Sequence, residues 1–143
     1  MANYYSQFAL KFEPASPEQA AFIQEAFDKA SEDDTEVLVA WLAEHGIQSG
    51  NEEYFLSSVD SAVREGAIYI DSEESGDCDD VAELIAAAQR KFNDVRPFGF
   101  EVAYSCDKLR PDAFGGVAIF IHKGVLEYMS TNSWLTNKIS EAQ

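Results

Sequence analysis

Basic residues are scarce in this chain: Lys and Arg number 10 against 26 Asp and Glu, and the formal net charge is −16. The shortage is local. Residues 30–89 hold sixteen acids and a single base, Arg64, while residues 1–29 and 90–143 are close to balanced at −2 and +1. A middle segment so depleted of Lys and Arg is excluded from binding a phosphate backbone directly, because that affinity comes from cations neutralising phosphates. Cysteine is equally sparse. Cys78 and Cys106 stand alone, with no Cys-x-x-Cys and no neighbouring His, so neither a disulfide framework nor a zinc site is expected, and both read as buried free thiols. No apolar run approaches the roughly 20 residues of a membrane span, and the opening Met-Ala-Asn-Tyr-Tyr lacks the basic and apolar regions of a secretory signal. A cytoplasmic protein is therefore expected, with no membrane partner. Missing too are a Gly-x-Ser-x-Gly elbow and a phosphate-binding loop; Gly115-Gly116 suits a strand entry or bulge instead.

What is present is a folded chain of one domain, 46% apolar and 13% aromatic over 143 residues. Tyr4 to Phe12 alternates as a strand, with Phe8, Leu10 and Phe12 on one face. Ser16-Pro17-Glu18-Gln19 opens a helix with a cap, a Pro at the first position and a capping-box Gln, and the helix runs to about Ala30. Thr35 begins a second helical piece that Gly46 can end in the left-handed conformation. Tyr54 to Val59 and Ala67 to Ile70 are predicted as two strands joined by a turn at Gly66. A helix follows Asp77 with Val81, Leu84, Ile85 and Ala88 on one stripe, and then strands at Phe98 to Tyr104, Val117 to Ile121 and Val125 to Met129. A short terminal helix carries Trp134, Leu135 and Ile139. This order predicts a two-layer α+β sandwich: an antiparallel or mixed sheet of five to six strands with helices on one face, a split βαβ-like core extended by a C-terminal hairpin and helix.

The densest chemistry lies in Asp71 to Glu83, seven carboxylates in thirteen residues. On a calcium-loop template Gly76 falls at the required sixth position, but position 12 is Ala82 and the entering segment reads as a strand, so no metal site is expected. Asp77 caps the following helix, and Asp79 and Asp80 suit its positive end. Capping needs one or two acids, and the remainder have no local use. Nothing singles out two of them as an acid/base pair. His45 reads as a helix-end residue and His122 as a solvated turn residue. The tyrosines read as sheet-face packing.

Four stretches carry a resemblance: Tyr4-Tyr5-Ser6-Gln7-Phe8, then Ile68-Tyr69-Ile70-Asp71-Ser72-Glu73-Glu74-Ser75-Gly76-Asp77, then Phe114-Gly115-Gly116-Val117-Ala118, and finally Met129-Ser130-Thr131-Asn132-Ser133-Trp134-Leu135. On these the chain resembles a group of small acidic proteins of unknown function carried by bacteriophages and plasmids. The resemblance implies a mobile-element origin, hence the cytoplasm of a host cell, and supplies no activity, cofactor or partner.

The charge leads to the expectation of a non-catalytic protein that meets a basic protein surface, of the kind that blocks a nucleic-acid-binding face of a host or defence protein by setting carboxylates where phosphates would lie. The residues expected to make that contact are Glu32, Asp33, Asp34 and Glu36 in one cluster and Glu73, Glu74, Asp77, Asp79 and Asp80 in the other. The alternative is a small-ligand protein or enzyme with a pocket between the sheet face and the Cys106–Phe114 loop. No cofactor is expected.

Overall fold

The computed structural model describes residues 2–143. The first strand, β1 (Tyr4–Phe12), leads into α1 (Pro17–Ser31) and α2 (Thr35–Glu44). A 3-10 turn (Glu52–Tyr54) precedes β2 (Asp60–Arg64), β3 (Ala67–Ser72) and α3 (Cys78–Lys91). The chain ends with β4 (Phe98–Cys106), β5 (Gly115–His122), β6 (Val125–Ser130) and α4 (Thr131–Glu141). The six strands form one sheet in the order β2-β3-β1-β4-β5-β6, antiparallel at every junction. The first four strands and α1 and α3 thus make the expected split βαβ core, and the last hairpin widens it.

Both two-residue hairpins obey the same rule. Glu65-Gly66 and Lys123-Gly124 each place two consecutive residues at positive φ (51° and 81°, 52° and 76°), the handedness that matches the twist of the flanking strands. The inward face of the sheet carries Phe8, Leu10, Phe12, Ile68, Ile70, Phe100, Val102, Ile119 and Ile121, all buried. Helix α3 lies at the centre of the opposing layer and buries ten of its fourteen residues. Helix α2 rests on α1, where the rings of Trp41 and Phe22 stack at 5.4 Å and His45 closes the cluster at 4.6 Å from Trp41. Cys78 and Cys106 are free and buried. Among the described residues, no helix is long and apolar enough to cross a membrane.

Two expectations need correction. The strand expected at Tyr54–Val59 is a 3-10 turn and loop, and the paired strand lies one step later, at Asp60–Arg64. Leu56 and Ser58 sit at positive φ (59° and 62°), which no extended strand accommodates; Phe55, Leu56 and Val59 are apolar because they plug the core, at 1%, 3% and 8% exposure. His122 is not a turn residue: it ends β5, half-buried, with its ring Nε2 3.1 Å from the Val95 carbonyl. The terminal helix forms where expected, but every residue of α4 is exposed, so it adds nothing to the helical layer.

Candidate functional site

The strand registers define two ends of the molecule. At one end lie the start of β1, the end of β3, the start of β2 and the end of β4, because Tyr4 faces Cys106, Phe8 faces Ser72 and Asp60 faces Asp71. The loop from Glu73 to Asp77 belongs to this end and is pinned there: the Ser6 N–H donates to the Glu74 carbonyl at 2.7 Å, and the Gln7 amide donates to the Glu73 carbonyl at 2.9 Å. Helix α3 starts from this loop and runs to the opposite end.

Helix α1 runs the other way. Its first turn is fastened beside the last turn of α3, where the Gln19 amide donates to the Asp94 carboxylate (3.0 Å) and to the Ala88 carbonyl (3.5 Å). Fourteen and fifteen residues of α-helix are about 21 and 22 Å long, so the C-terminus of α1 reaches the level at which α3 begins. Glu32, Asp33, Asp34 and Glu36 follow directly. The antiparallel packing of α1 on α3 therefore brings the two acidic clusters to one end of the molecule, joined by Glu52, Glu53 and Asp60. The opposite end carries Arg64, Arg90, Lys91, Arg96 and Lys123, with Lys11 just below, six of the ten basic residues.

Most of the exposed acids at this end have no stabilising partner. Asp60 and Asp71 lie directly opposite across β2 and β3, an arrangement of like charges that destabilises a sheet. Among the described residues the three ion pairs are Lys11 with Glu13, Arg96 with Asp94 and Lys138 with Glu141, none of them in either cluster. Three of the nine expected residues have local tasks, Asp80 and the two caps: Asp34 caps α2 by accepting from the Val37 N–H (3.2 Å), and Asp77 caps α3 by accepting from the Asp79 N–H (2.8 Å). Glu32, Asp33, Glu36, Glu73, Glu74 and Asp79 are exposed.

Asp80 is a correction. It is 2% exposed, and its carboxylate accepts from the Ser49 hydroxyl (2.8 Å) and the Leu56 N–H (3.1 Å), tying the 49–56 connection to the first turn of α3. It cannot face a partner. The helical stripe held the signal, since Asp80 precedes Leu84 by four residues and shares its buried side. Burial pushes its pKa from 3.8 up to about 6, against the two hydrogen bonds that favour the charged form. Protonating Asp80 thus stabilises the fold fully below the unfolded value, and that contribution disappears as pH rises through about 6. The shift corresponds to at most about 3 kcal/mol. Asp80→Asn is accordingly expected to flatten the rise in stability that the wild type shows on acidification from pH about 6 to about 4, measured by urea unfolding at a series of pH values.

Beside these acids, Asp77, Cys78 and Asp79 offer three ligand atoms within 4.8 Å of one another. Two of them are engaged locally: Asp77 caps α3, and the Cys78 sulfur is buried 4.0 Å from the Tyr104 hydroxyl. Burial and the neighbouring carboxylates push the Cys78 thiol up, and burial together with Cys78 pushes Tyr104 up to about 12. Both groups stay protonated at neutral pH in the metal-free protein, so neither is an activated nucleophile.

The Cys106–Phe114 loop reaches the same end and walls a cleft of about 270 Å³ lined by Tyr4, Tyr5, Tyr104 and Asp112. Arg110 of this loop donates to the Tyr4 hydroxyl at 3.1 Å. The larger concavity, about 830 Å³, lies elsewhere, on the open face of the sheet. No protein-family model matches the chain, and neither a curated protein nor a solved structure does.

Proposed function

We propose that this is a non-catalytic binding protein whose acidic end docks on a basic protein surface, one that otherwise holds nucleic acid. The observation that carries this reading is the convergence of two sequence-distant acidic clusters at one end, unpaired, while most of the basic residues lie at the other. B-DNA presents one negative charge per about 1.7 Å of axis, so a surface that competes with it needs many carboxylates and few interrupting cations. Glu32, Asp33, Glu36, Glu73, Glu74 and Asp79 supply the freely accessible charge, with Asp34 and Asp77 contributing theirs from the two helix caps. An origin on a phage or plasmid, acting in the host cytoplasm against a host or defence protein, is consistent with such a competitor.

The test uses the intact protein as bait in host lysate, with bound proteins challenged by duplex DNA and by rising salt. Capture is expected to be released by both, and to drop at least tenfold in a variant carrying Glu32→Gln, Asp33→Asn, Glu73→Gln and Glu74→Gln. Capture that survives high salt, ignores DNA or persists in the variant would remove the charge-driven role.

A second reading, a small-ligand site, draws on the cleft at the Cys106–Phe114 loop. Its three tyrosines suit a planar ligand, though its volume of about 270 Å³ lies just under the roughly 300–1,000 Å³ of usual ligand pockets.

A further inference from the structure

The C-terminal helix has no place in its own protomer. Trp134, Leu135 and Ile139 of α4 are 54%, 52% and 59% exposed. Among the described residues the helix is hydrogen-bonded to the sheet at its start, where the Thr131 hydroxyl accepts from the Gly116 N–H (3.0 Å) and donates to the Gly116 carbonyl (3.3 Å). Its other aids are a Ser130 cap and one ion pair, Lys138 to Glu141 at 3.9 Å. Eleven residues of helix are marginal in water without packing.

The open face of the sheet offers a surface of matching size. Its groove of about 830 Å³ has Ala9, Gly99 and Ala118 along the floor, with Phe120 and Met129 on one side and Lys11 on the other. Gly99 lets another backbone approach closely. From β1 to β6 the groove spans three strand spacings, roughly 14 Å, enough for a helix of about 10–12 Å diameter. A chain's own α4 does not reach this groove, because it follows β6 with no connecting residue and leaves the sheet at its edge.

We propose that the protein forms a two-fold homodimer in which α4 of each protomer lies in the open sheet groove of the other. Charge allows this occupant. On a molecule of net charge −16, the groove and α4 each carry few acids, so two copies can bring them together without massing negative charge. The groove presents Glu101 and Glu127 with Lys11, and the helix presents Lys138 with Glu141, so opposite signs are available in both directions. Apolar area is available on both sides. Trp134 and Phe120 are 54% and 45% exposed, and at about 150–250 Å² for each aromatic side chain they offer roughly 200 Å² per protomer, to which the half-exposed Leu135, Ile139 and Met129 add. A standard interface buries about 800 Å² per partner, so the lysine stems and the groove floor supply the rest. Because the exchange is reciprocal, each contact is made twice and the assembly closes. This goes beyond the acidic-end reading and stands independently of it.

Sedimentation velocity on the full chain, from low micromolar to several hundred micromolar, is the test. A dimer is expected, with its dissociation constant raised at least tenfold by Trp134→Ala in the helix and by Ala118→Arg in the groove. Trp134 is exposed, so its variant should keep the wild-type circular dichroism and melting of the monomer. A wild type that stays monomeric throughout, or a dimer that persists in both variants, overturns the proposal. If Ala118→Arg fails to fold, a cross-link decides: Ala118→Cys mixed with Leu135→Cys under mild oxidation should give a disulfide between chains. A mixture that yields only monomers or symmetric Leu135→Cys dimers overturns it.

Discussion

Gly76→Ala is expected to destabilise the protein by about 3 kcal/mol, combining overpacking with a strained buried hydrogen bond. A Cβ at this position would stand 2.5 Å from Ser72 Oγ, and 2.7 Å from both Ser72 Cβ and Val59 Cγ2. None of these can retreat. Ser72 is 3% exposed and its hydroxyl accepts from the Gly76 N–H at 2.8 Å, while Val59 is held in the core by the loop that Asp80 ties down. The glycine is required by close approach and not by an unusual backbone angle. Gly50→Ala is the control: nothing lies within 4 Å of its Cβ and its φ is ordinary, so a change within about 0.5 kcal/mol is expected. Urea midpoints at constant slope measure both. A Gly76→Ala protein as stable as the Gly50→Ala protein would show that the loop between the two halves of the acidic end yields easily.

Removing the guanidinium of Arg96 should cost a comparable amount, about 3 kcal/mol, because it strands a buried carboxylate. Asp94 has 4% side-chain exposure and accepts from Arg96 Nε and Nη2, both at 2.9 Å, and from the Gln19 amide at 3.0 Å. Arg96 also donates to the Glu13 carbonyl at 2.9 Å, so one side chain ties the exit of β1, the start of α1 and the end of α3 together. The pair holds the Asp94 carboxyl well below the usual carboxylate range. Its contribution is thus complete above the unfolded value of about 3.9 and disappears as pH falls toward the lowered folded value. Arg96→Met is expected to lower stability at neutral pH and to move the acid limb of the pH profile upward. An unchanged acid limb, measured by thermal unfolding between pH about 2 and about 5, would argue that Gln19 alone holds the charge.

The elements legible from sequence were those governed by one local rule. The alternation of Phe8, Leu10 and Phe12 marks β1, and the Ser16-Pro17 start marks α1, whose cap accepts from the Gln19 N–H at 3.1 Å. Gln19 shows where that legibility stops. Its Oε1 accepts from the Ala15 N–H, one residue before the Ser16 N–H that a capping box would use, and its amide reaches 75 residues along the chain to Asp94. Tyr54–Val59 misled because buried loop residues and strand residues are apolar for the same reason, while the positive φ values that separate them leave no mark in composition. In the acidic site, the exposed carboxylates were readable as a surplus. Asp80 was counted among them because adjacent acids look alike until the helix phase assigns one to water and the next to the core. The meeting of the two clusters follows from the direction of α1 against α3, which is a property of topology and not of either segment.

The two tryptophans separate this molecule optically. Trp41 is 5% exposed and enclosed by Phe22 and His45, whereas Trp134 is 54% exposed on α4. Emission from Trp41 should therefore be blue-shifted and shielded from added quenchers, and emission from Trp134 in the monomer red and readily quenched, becoming shielded where α4 is covered by a second copy. A single fluorescence spectrum consequently carries two clocks, one for the helical layer and one for the C-terminal helix, without any label being attached.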